Sequence, residues 1–166
     1  MINKSTIFVF IFLLFVCNIF AQNKNIDRLF SKYANKDGFS SLQIKEPSNT
    51  LPNMNKKSSK ELKELLGGVD FIKVLKLEGV KSNPDIAKQF MDETVNFKPA
   101  EGFKEILSVK ESTGFVKMHT KENASNVTDL LMIATEGKDV TVIWFNGKLD
   151  LEKITKSASL LPNILK

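Results

Sequence analysis

The chain has 166 residues and a formal net charge of +5, with 24 basic residues, one histidine and one cysteine. Every basic residue except Arg28 is a lysine, and the lysines are spread along the chain rather than gathered in a patch. Nucleic-acid readers favour the planar arginine fork, so we expect no nucleic-acid partner. A single histidine and a single cysteine also leave few ligands for a metal site.

The first 21 residues are typical of a secretory signal peptide. Lys4 gives a short positive start, the run from Thr6 to Val16 is almost entirely apolar, and the small residue Ala21 precedes Gln22. A positive start, an apolar run of roughly 7–15 residues and a small residue at the cut define such a signal. We place the cleavage between Ala21 and Gln22. The sequence thus predicts an exported protein, periplasmic or extracellular, that meets the membrane only transiently.

Three other interpretations of this segment stay open. A retained membrane anchor needs about 20 apolar residues, and this run is shorter and ends at polar Asn18. Lipidation of Cys17 would also tether the protein, although Val16 is bulkier than the small residue that such processing requires. A buried core helix is disfavoured because the segment is apolar on every face and yet lies at the very end of the chain.

Cleavage after Ala21 has a chemical consequence. It leaves 145 residues (166 minus 21) without cysteine. Such a chain holds together by its core alone and uses neither a thiol nucleophile nor a thiolate metal site. Its length is ordinary for one domain. We therefore predict a signal peptide over 1–21 and a single domain over 22–166.

The first part of this domain mixes helices and strands. Apolar residues at helical spacing predict a helix over Asn23–Asn35. Phe39–Lys45 alternates as a short strand does. The stretch Glu46–Lys57 contains two prolines and several Asn and Ser residues, which is typical of a loop.

The middle of the domain continues this alternation. A capping box at Ser58 predicts a helix that ends at Gly67-Gly68. Val69–Glu78 is apolar on both faces, which indicates a central strand. Asn83-Pro84-Asp85 is typical of a helix start, because asparagine caps, proline suits the first helical position and the acid complements the helix dipole. We interpret Ala100–Leu107 as a short extra helix.

The last part changes to strands. In Gly114–Lys121, apolar residues alternate with Lys117, His119 and Lys121, as in a half-exposed strand. Asp150 can cap a final helix. Further strands are predicted over Ser108–Lys110, Val127–Thr135 and Val140–Phe145. This order predicts an α+β fold with a single, mainly antiparallel sheet of about five strands and helices packed on one face.

The sequence shows no group of chemically reactive side chains whose spacing indicates a common site. His119 is the only histidine and shares its strand face with lysines, so we interpret it as a solvated surface residue. The glycines at 67, 68 and 137 lack the spacing of phosphate-binding loops. Acidic pairs such as Glu61 with Glu64 fit solvated helix faces better than a pair facing one cleft. We assign no catalytic, cofactor-binding or metal residue, and we expect no cofactor.

Trp144 is the one candidate for contact with a partner. It ends a predicted strand beside Phe145, and in a regular strand one of the two side chains faces away from the core. Large aromatic side chains are frequent at interfaces. The alternative is that Trp144 covers the sheet beneath the helix layer.

Several stretches together resemble a known family. Ile26–Tyr33, after a signal ending in Phe-Ala-Gln, is similar to the opening of small exported proteins of Bacteroidetes-type bacteria. Further matching stretches are Phe71–Leu75, Phe103–Lys110, Asp129–Leu131 and Gly147–Leu151. Over nearly the whole mature part, the chain resembles the family catalogued as domain of unknown function forty-two fifty-two. The resemblance implies an exported α+β domain and supplies no active-site residues.

The expected function is that of a non-enzymatic envelope protein that acts through binding or assembly. Its partner would be another envelope protein or a small ligand. One alternative is a hydrolase-type enzyme whose carboxylate site is assembled only in the fold. Another is an envelope protein that keeps its N-terminal segment as a tether.

The intact mass of the protein from its native host tests the signal peptide. We expect the mass of residues 22–166, because cleavage falls after Ala21. The mass of the full chain would contradict this prediction. An added lipid mass would instead place an anchor on Cys17.

Overall fold

The computed structural model describes residues 24–50, 66–99, 102–123, 126–150 and 152. The helices within these ranges are α1 (Lys24–Tyr33), α2 (Pro47–Thr50) and α3 (Pro84–Val95). The predicted start of α3 is confirmed, since the Asn83 side-chain oxygen accepts a hydrogen bond of 2.9 Å from the amide of Asp85. This bond satisfies an amide that has no partner within the helix.

The described strands form one antiparallel sheet in the order β1-β2-β6-β5-β4-β3. The strands are β1 (Phe39–Lys45), β2 (Val69–Leu77), β3 (Phe103–Lys110), β4 (Gly114–Asn123), β5 (Asn126–Glu136) and β6 (Asp139–Leu149). Strands β3 to β6 form a meander, whereas β2 pairs with β6 across a long stretch of chain. The predicted single antiparallel sheet is confirmed, but it has six strands rather than about five.

The first face of the sheet carries the larger buried cluster. Helix α1 contributes Ile26, Leu29, Phe30 and Tyr33, and α3 contributes Phe90. These side chains pack with sheet residues that share one face by register: Leu75, Leu77, Leu131, Ile133, Val140, Val142 and Trp144. Burial of these apolar side chains is the main force that holds the two helices on the sheet.

The second face carries a separate buried cluster. It consists of Leu66, Val69, Ile72, Met118, Leu130, Ile143, Phe145 and Leu149. Strand β6 is therefore buried on both faces, as a central strand should be. Helices α1 and α3 contribute side chains to the first-face cluster, and the second face has a buried cluster of its own, so the expected layer of helices on one face describes only part of the molecule.

The predicted helix over Ala100–Leu107 is wrong where the structure describes it. Residues 103–110 form β3, which pairs with β4 along its whole length. Gly102 has a φ of +93° at the start of this segment, a conformation that does not continue a right-handed helix. The strand predicted to end at Phe145 also continues to Leu149, because β2 and β5 both pair with its last residues.

The bounds of the remaining predicted elements agree with the structure to different degrees. Strand β1 has the predicted bounds, and β2 ends one residue earlier than predicted. The predicted loop from Glu46 contains the single helical turn α2. The signal peptide, most of the helix predicted from Ser58 and most of the helix predicted from Asp150 lie outside the described residues.

None of the helices within the described ranges is both long enough and apolar enough to cross a bilayer.

Phe90 provides a test of the first-face core. Its ring is fully buried, with its centroid 4.6 Å from that of Tyr33 and 4.9 Å from that of Phe39. We expect Phe90→Ala to lower the free energy of unfolding by about 3–5 kcal/mol, because it removes a buried ring and leaves a cavity. Urea unfolding measures this change. The control Val80→Ala, at a side chain 82% exposed, should change it by less than about 0.5 kcal/mol.

Candidate functional site

A buried carboxylate organises one end of the first face. Asp129 on β5 is 3% exposed, and its Oδ1 accepts hydrogen bonds from Nε1 of Trp144 at 2.9 Å and Nδ2 of Asn146 at 2.8 Å. The hydroxyl of Thr128 donates to its Oδ2 at 3.0 Å. Both oxygens are thus satisfied by fixed donors, as burial of a carboxylate requires. The group joins β5 to β6 and is not presented to solvent.

Trp144 lies in this core rather than at the surface. Its side chain is 2% exposed and meets Phe71 edge to face at 4.9 Å. The ammonium of Lys73 lies 4.9 Å from the centre of the indole ring and 2.7 Å from a carboxylate oxygen of Asp27 on α1. Of the two interpretations of Trp144, contact with a partner and cover beneath the helix layer, its burial and its contacts agree with the second.

His119 is also buried, contrary to the prediction of a solvated residue. It is 7% exposed, its Nδ1 has no hydrogen-bond partner, and its Nε2 lies 3.6 Å from a carboxylate oxygen of Glu105. Burial lowers the pKa of the imidazole, Glu105 opposes this, and Lys117 adds to it. Within the described ranges, no group of three or more His, Cys, Asp or Glu side chains is placed to hold a metal ion.

An apolar row crosses the second face from one edge of the sheet to the other. The strand register places one side chain from each strand in this row: Leu107, Met118, Met132, Ile143, Val74 and Leu42. We call it the central row. Its inner members are buried or partly buried, whereas Leu107 is 41% and Leu42 is 48% exposed at its two ends. The apolar surface of this face therefore reaches solvent at both edges.

The neighbouring row forms the floor of a hollow. In register it contains Val109, Val116, Ala134, Thr141 and Lys76, and none of these side chains is fully buried. The hollow has a volume of about 510 Å³, which lies within the range of small-molecule sites, about 300–1,000 Å³. The hollow forms because the middle of the row is occupied by Ala134 and Thr141, whose short side chains leave space above them.

Gly114 extends the hollow toward the hairpin end of the sheet. It lies opposite Glu136 in the register and also lines the hollow. A Cβ atom at this position would collide with the carbonyl oxygen of Thr135, so no side chain fits here. The adjoining turn is fixed by hydrogen bonds of 2.8 Å, from the Glu111 amide to the Gly114 carbonyl and from the Gly137 amide to the Thr113 carbonyl. The hollow is thus built on a fixed backbone.

Carboxylates form the rim of this hollow. Glu111, Glu136 and Asp139 line it and are exposed, and Lys76 is the one cation among the described residues that line it. Asp139 also accepts a hydrogen bond of 3.0 Å from the amide of Gly79. Three solvated carboxylates differ from the pair enclosed in one cleft that the hydrolase alternative requires. The arrangement can hold an apolar group below and a positive charge at the rim.

A larger groove, of about 790 Å³, lies between α1 and α3. Leu29 and Phe97 contribute its apolar lining, and charged side chains of both signs border it. Lys32 and Glu93 pair across it, which joins the two helices. We interpret this groove as the outer seam of the helix layer, because its charges are partly matched to one another.

Sequence reasoning missed the hollow. Its residues come from five strands, and only Gly114 with the turn before it gives a local signal at its edge. The residues it did single out, Trp144 and His119, lie on the opposite face.

A comparison with protein-family models identifies the family of this chain. The model described as Domain of unknown function (DUF4252) matches residues 33–157. The chain belongs to this family. The match spans the whole sheet, including the hollow, so both are features of the family domain in this chain. Searches of curated proteins and of solved structures gave no match.

The titration of His119 gives a test of its burial. Its pKa in the folded protein is lowered from 6.5, so the unfolded chain binds a proton more readily. Its contribution to stability is therefore full above about pH 6.5 and is lost as the pH falls below that value. We expect the ring-proton NMR signal of this single histidine to titrate below pH 6.5.

His119→Gln should flatten the fall of the unfolding free energy as the pH is lowered below about 6.5, because the variant lacks the depressed imidazole. An NMR pKa at or above 6.5 would contradict the burial of His119.

Proposed function

We propose that the mature protein is an exported envelope protein that acts by binding, and that the hollow of the second face is its binding site. The signal-like start, with Lys4, the apolar run and Ala21 before Gln22, supports export to the periplasm or the exterior. Binding is supported by the described surface, which offers a concave floor that is apolar over Val109, Val116 and Ala134.

The observation that carries this proposal is the exposure of an apolar floor next to a buried core. Ile143 and Met118 are 6% and 8% exposed, whereas Val116, Ala134 and Val109 one row away face the hollow. Small-molecule sites are typically concave and combine apolar side chains with a few polar groups, as this hollow does. A ligand that covers this floor removes apolar area from water, which favours binding.

The rim selects the chemical class of the ligand. Glu136 and Asp139 lie opposite each other in the row next to Ala134 and Thr141, and Lys76 lies at the far end of the floor. The carboxylates outnumber the cation, so an anionic head group would be repelled and a cationic one attracted. We therefore assign to the hollow a ligand with an apolar body and a positively charged head.

The site is ready for binding without a large rearrangement. Its floor comes from strands that are hydrogen bonded to their neighbours, and its rim turn is fixed by backbone bonds. A preformed site loses little free energy to the ordering of loops when a ligand enters. The expected affinity of a small probe is nevertheless weak, since the hollow is open on one side.

Two probes with the same chain length and opposite charge test the proposal. We expect octylammonium to stabilise the purified protein against heat more than octanoate does, because ligands of the folded state raise its stability. Amide NMR shifts should map the octylammonium to Val116, Ala134 and Glu136. Glu136→Gln should reduce the preference for octylammonium over octanoate.

Filling the hollow provides the matched control. Ala134→Leu should abolish octylammonium binding because the larger side chain occupies the floor, whereas Val80→Leu at an exposed position should leave it unchanged. Equal binding of both probes would refute the assigned head-group charge. Shifts confined to the groove between α1 and α3 would refute the hollow as the binding site.

A further inference from the structure

Among the described strands, β3 lies at one end of the sheet and has an open outer edge. It pairs with β4 on one side, and no described strand pairs with its other side. All its residues after Phe103 are exposed, and Ile106, Leu107 and Val109 are 46%, 41% and 41% exposed. An exposed strand edge with apolar side chains offers unpaired backbone groups to another strand.

A bulge at Ile106 determines which side chains share a face. Glu105 lies opposite His119 and Leu107 lies opposite Met118, so Ile106 is an extra residue in the strand. Lys104, Leu107 and Val109 consequently lie on the second face. Glu111 directly follows the end of β3 and lines the hollow of the same face. Phe103, Glu105, Ser108 and Lys110 lie on the first face.

This order is self-complementary around Ser108. One step away on either side are Leu107 and Val109, both apolar and both on the second face. The next first-face residues are Glu105 and Lys110, and the next second-face residues are Lys104 and Glu111. Each pair combines residues of one face, and both charged pairs combine opposite signs.

We propose that β3 pairs antiparallel with β3 of a second copy of this chain, around a two-fold axis at Ser108. Directly opposite residues in antiparallel strands share a face, so Leu107 would face Val109 of the second copy. Because the extra residue Ile106 takes no position in the pairing, Glu105 would face Lys110, and Lys104 would face Glu111, each pair occurring twice by symmetry. The two sheets would join into one.

Other registers lose this match. Centred on Leu107, the pairing would set Lys104 against Val109 and leave the charged pairs unmade. Centred on Val109, it would set Glu111 against Leu107. At the other edge of the sheet, the residues of β1 on either side of Leu42 are Ser41 and Gln43, which offer no such charge pairing. Charge complementarity therefore selects both the strand and the register.

The charged pairs set the register more than the affinity. Glu105 and Lys104 are 47% and 75% exposed in the single chain, and exposed ion pairs contribute little each. Affinity comes instead from the backbone hydrogen bonds of the added strand pair and from the contacts of Leu107 with Val109. Dimer formation needs no ligand in the hollow, so this inference stands apart from the proposed function.

Charge reversal tests the pairing. Sedimentation equilibrium of the ligand-free protein should show a reversible monomer–dimer equilibrium. We expect Lys110→Glu and Glu105→Lys each to weaken the dimer at least about tenfold, because like charges then face each other. The double variant should return to within about threefold of the original, since it restores opposite charges. Lys88→Glu, on α3, is the control and should have no effect.

A cross-link provides a second measurement in case a charge variant does not fold. In a chain that also carries Cys17→Ser, Ser108→Cys should form an intermolecular disulfide, because paired Cα atoms on the axis lie within disulfide reach. Ser41→Cys, on the exposed β1, is the matched control and should remain monomeric. A protein that is monomeric throughout, or a dimer that ignores both charge reversals and forms no link at position 108, would overturn the proposal.

Discussion

The pairing of β2 with β6 is the contact on which the rest of the molecule depends. Strands β3 to β6 follow one another as a meander, so their pairings close only short stretches of chain. The β2–β6 pair instead joins Leu75 to Val142 and closes a loop of more than half the described chain. Helix α1 packs against first-face side chains that β2 and β6 supply together. The helix layer therefore gains its full apolar partner only after this long-range pairing has formed, at the entropic cost of closing a long loop.

A polar group fixes the register of this central part of the sheet. Both faces of β6 are apolar, so hydrophobic burial alone discriminates weakly against a shift by one residue. Such a shift would carry Trp144 to the second face and leave Asp129 buried without its indole donor. An unsatisfied buried carboxylate is costly. The bond between these two side chains thus selects one register, a role for Trp144 that differs from contact with a partner.

The sequence predicts elements better than it predicts which faces are covered. Asn83 and the apolar pattern of β2 are local signals, and both elements form as predicted. Alternation along β4 also separates the side chains correctly, but it placed the face of His119 in solvent. The lysines on that face extend past the core, as Lys117 does to reach the carbonyl of Val95 at 2.9 Å. The hollow left almost no local signal, because distant strands assemble it.

Along the second face, the side chains become more exposed from one row to the next. This order links the proposed ligand site in the hollow to the proposed dimer edge at β3. Its buried core passes into the half-open floor of the hollow and then into the carboxylates of the rim. Val109 and Glu111 belong both to that hollow and to the edge that would meet a second copy. Pairing would bring Lys104 of the second copy beside Glu111 and make the rim less negative. A cationic ligand would then bind the dimer less tightly than the monomer, and because coupling is reciprocal, the ligand would weaken the dimer by the same factor.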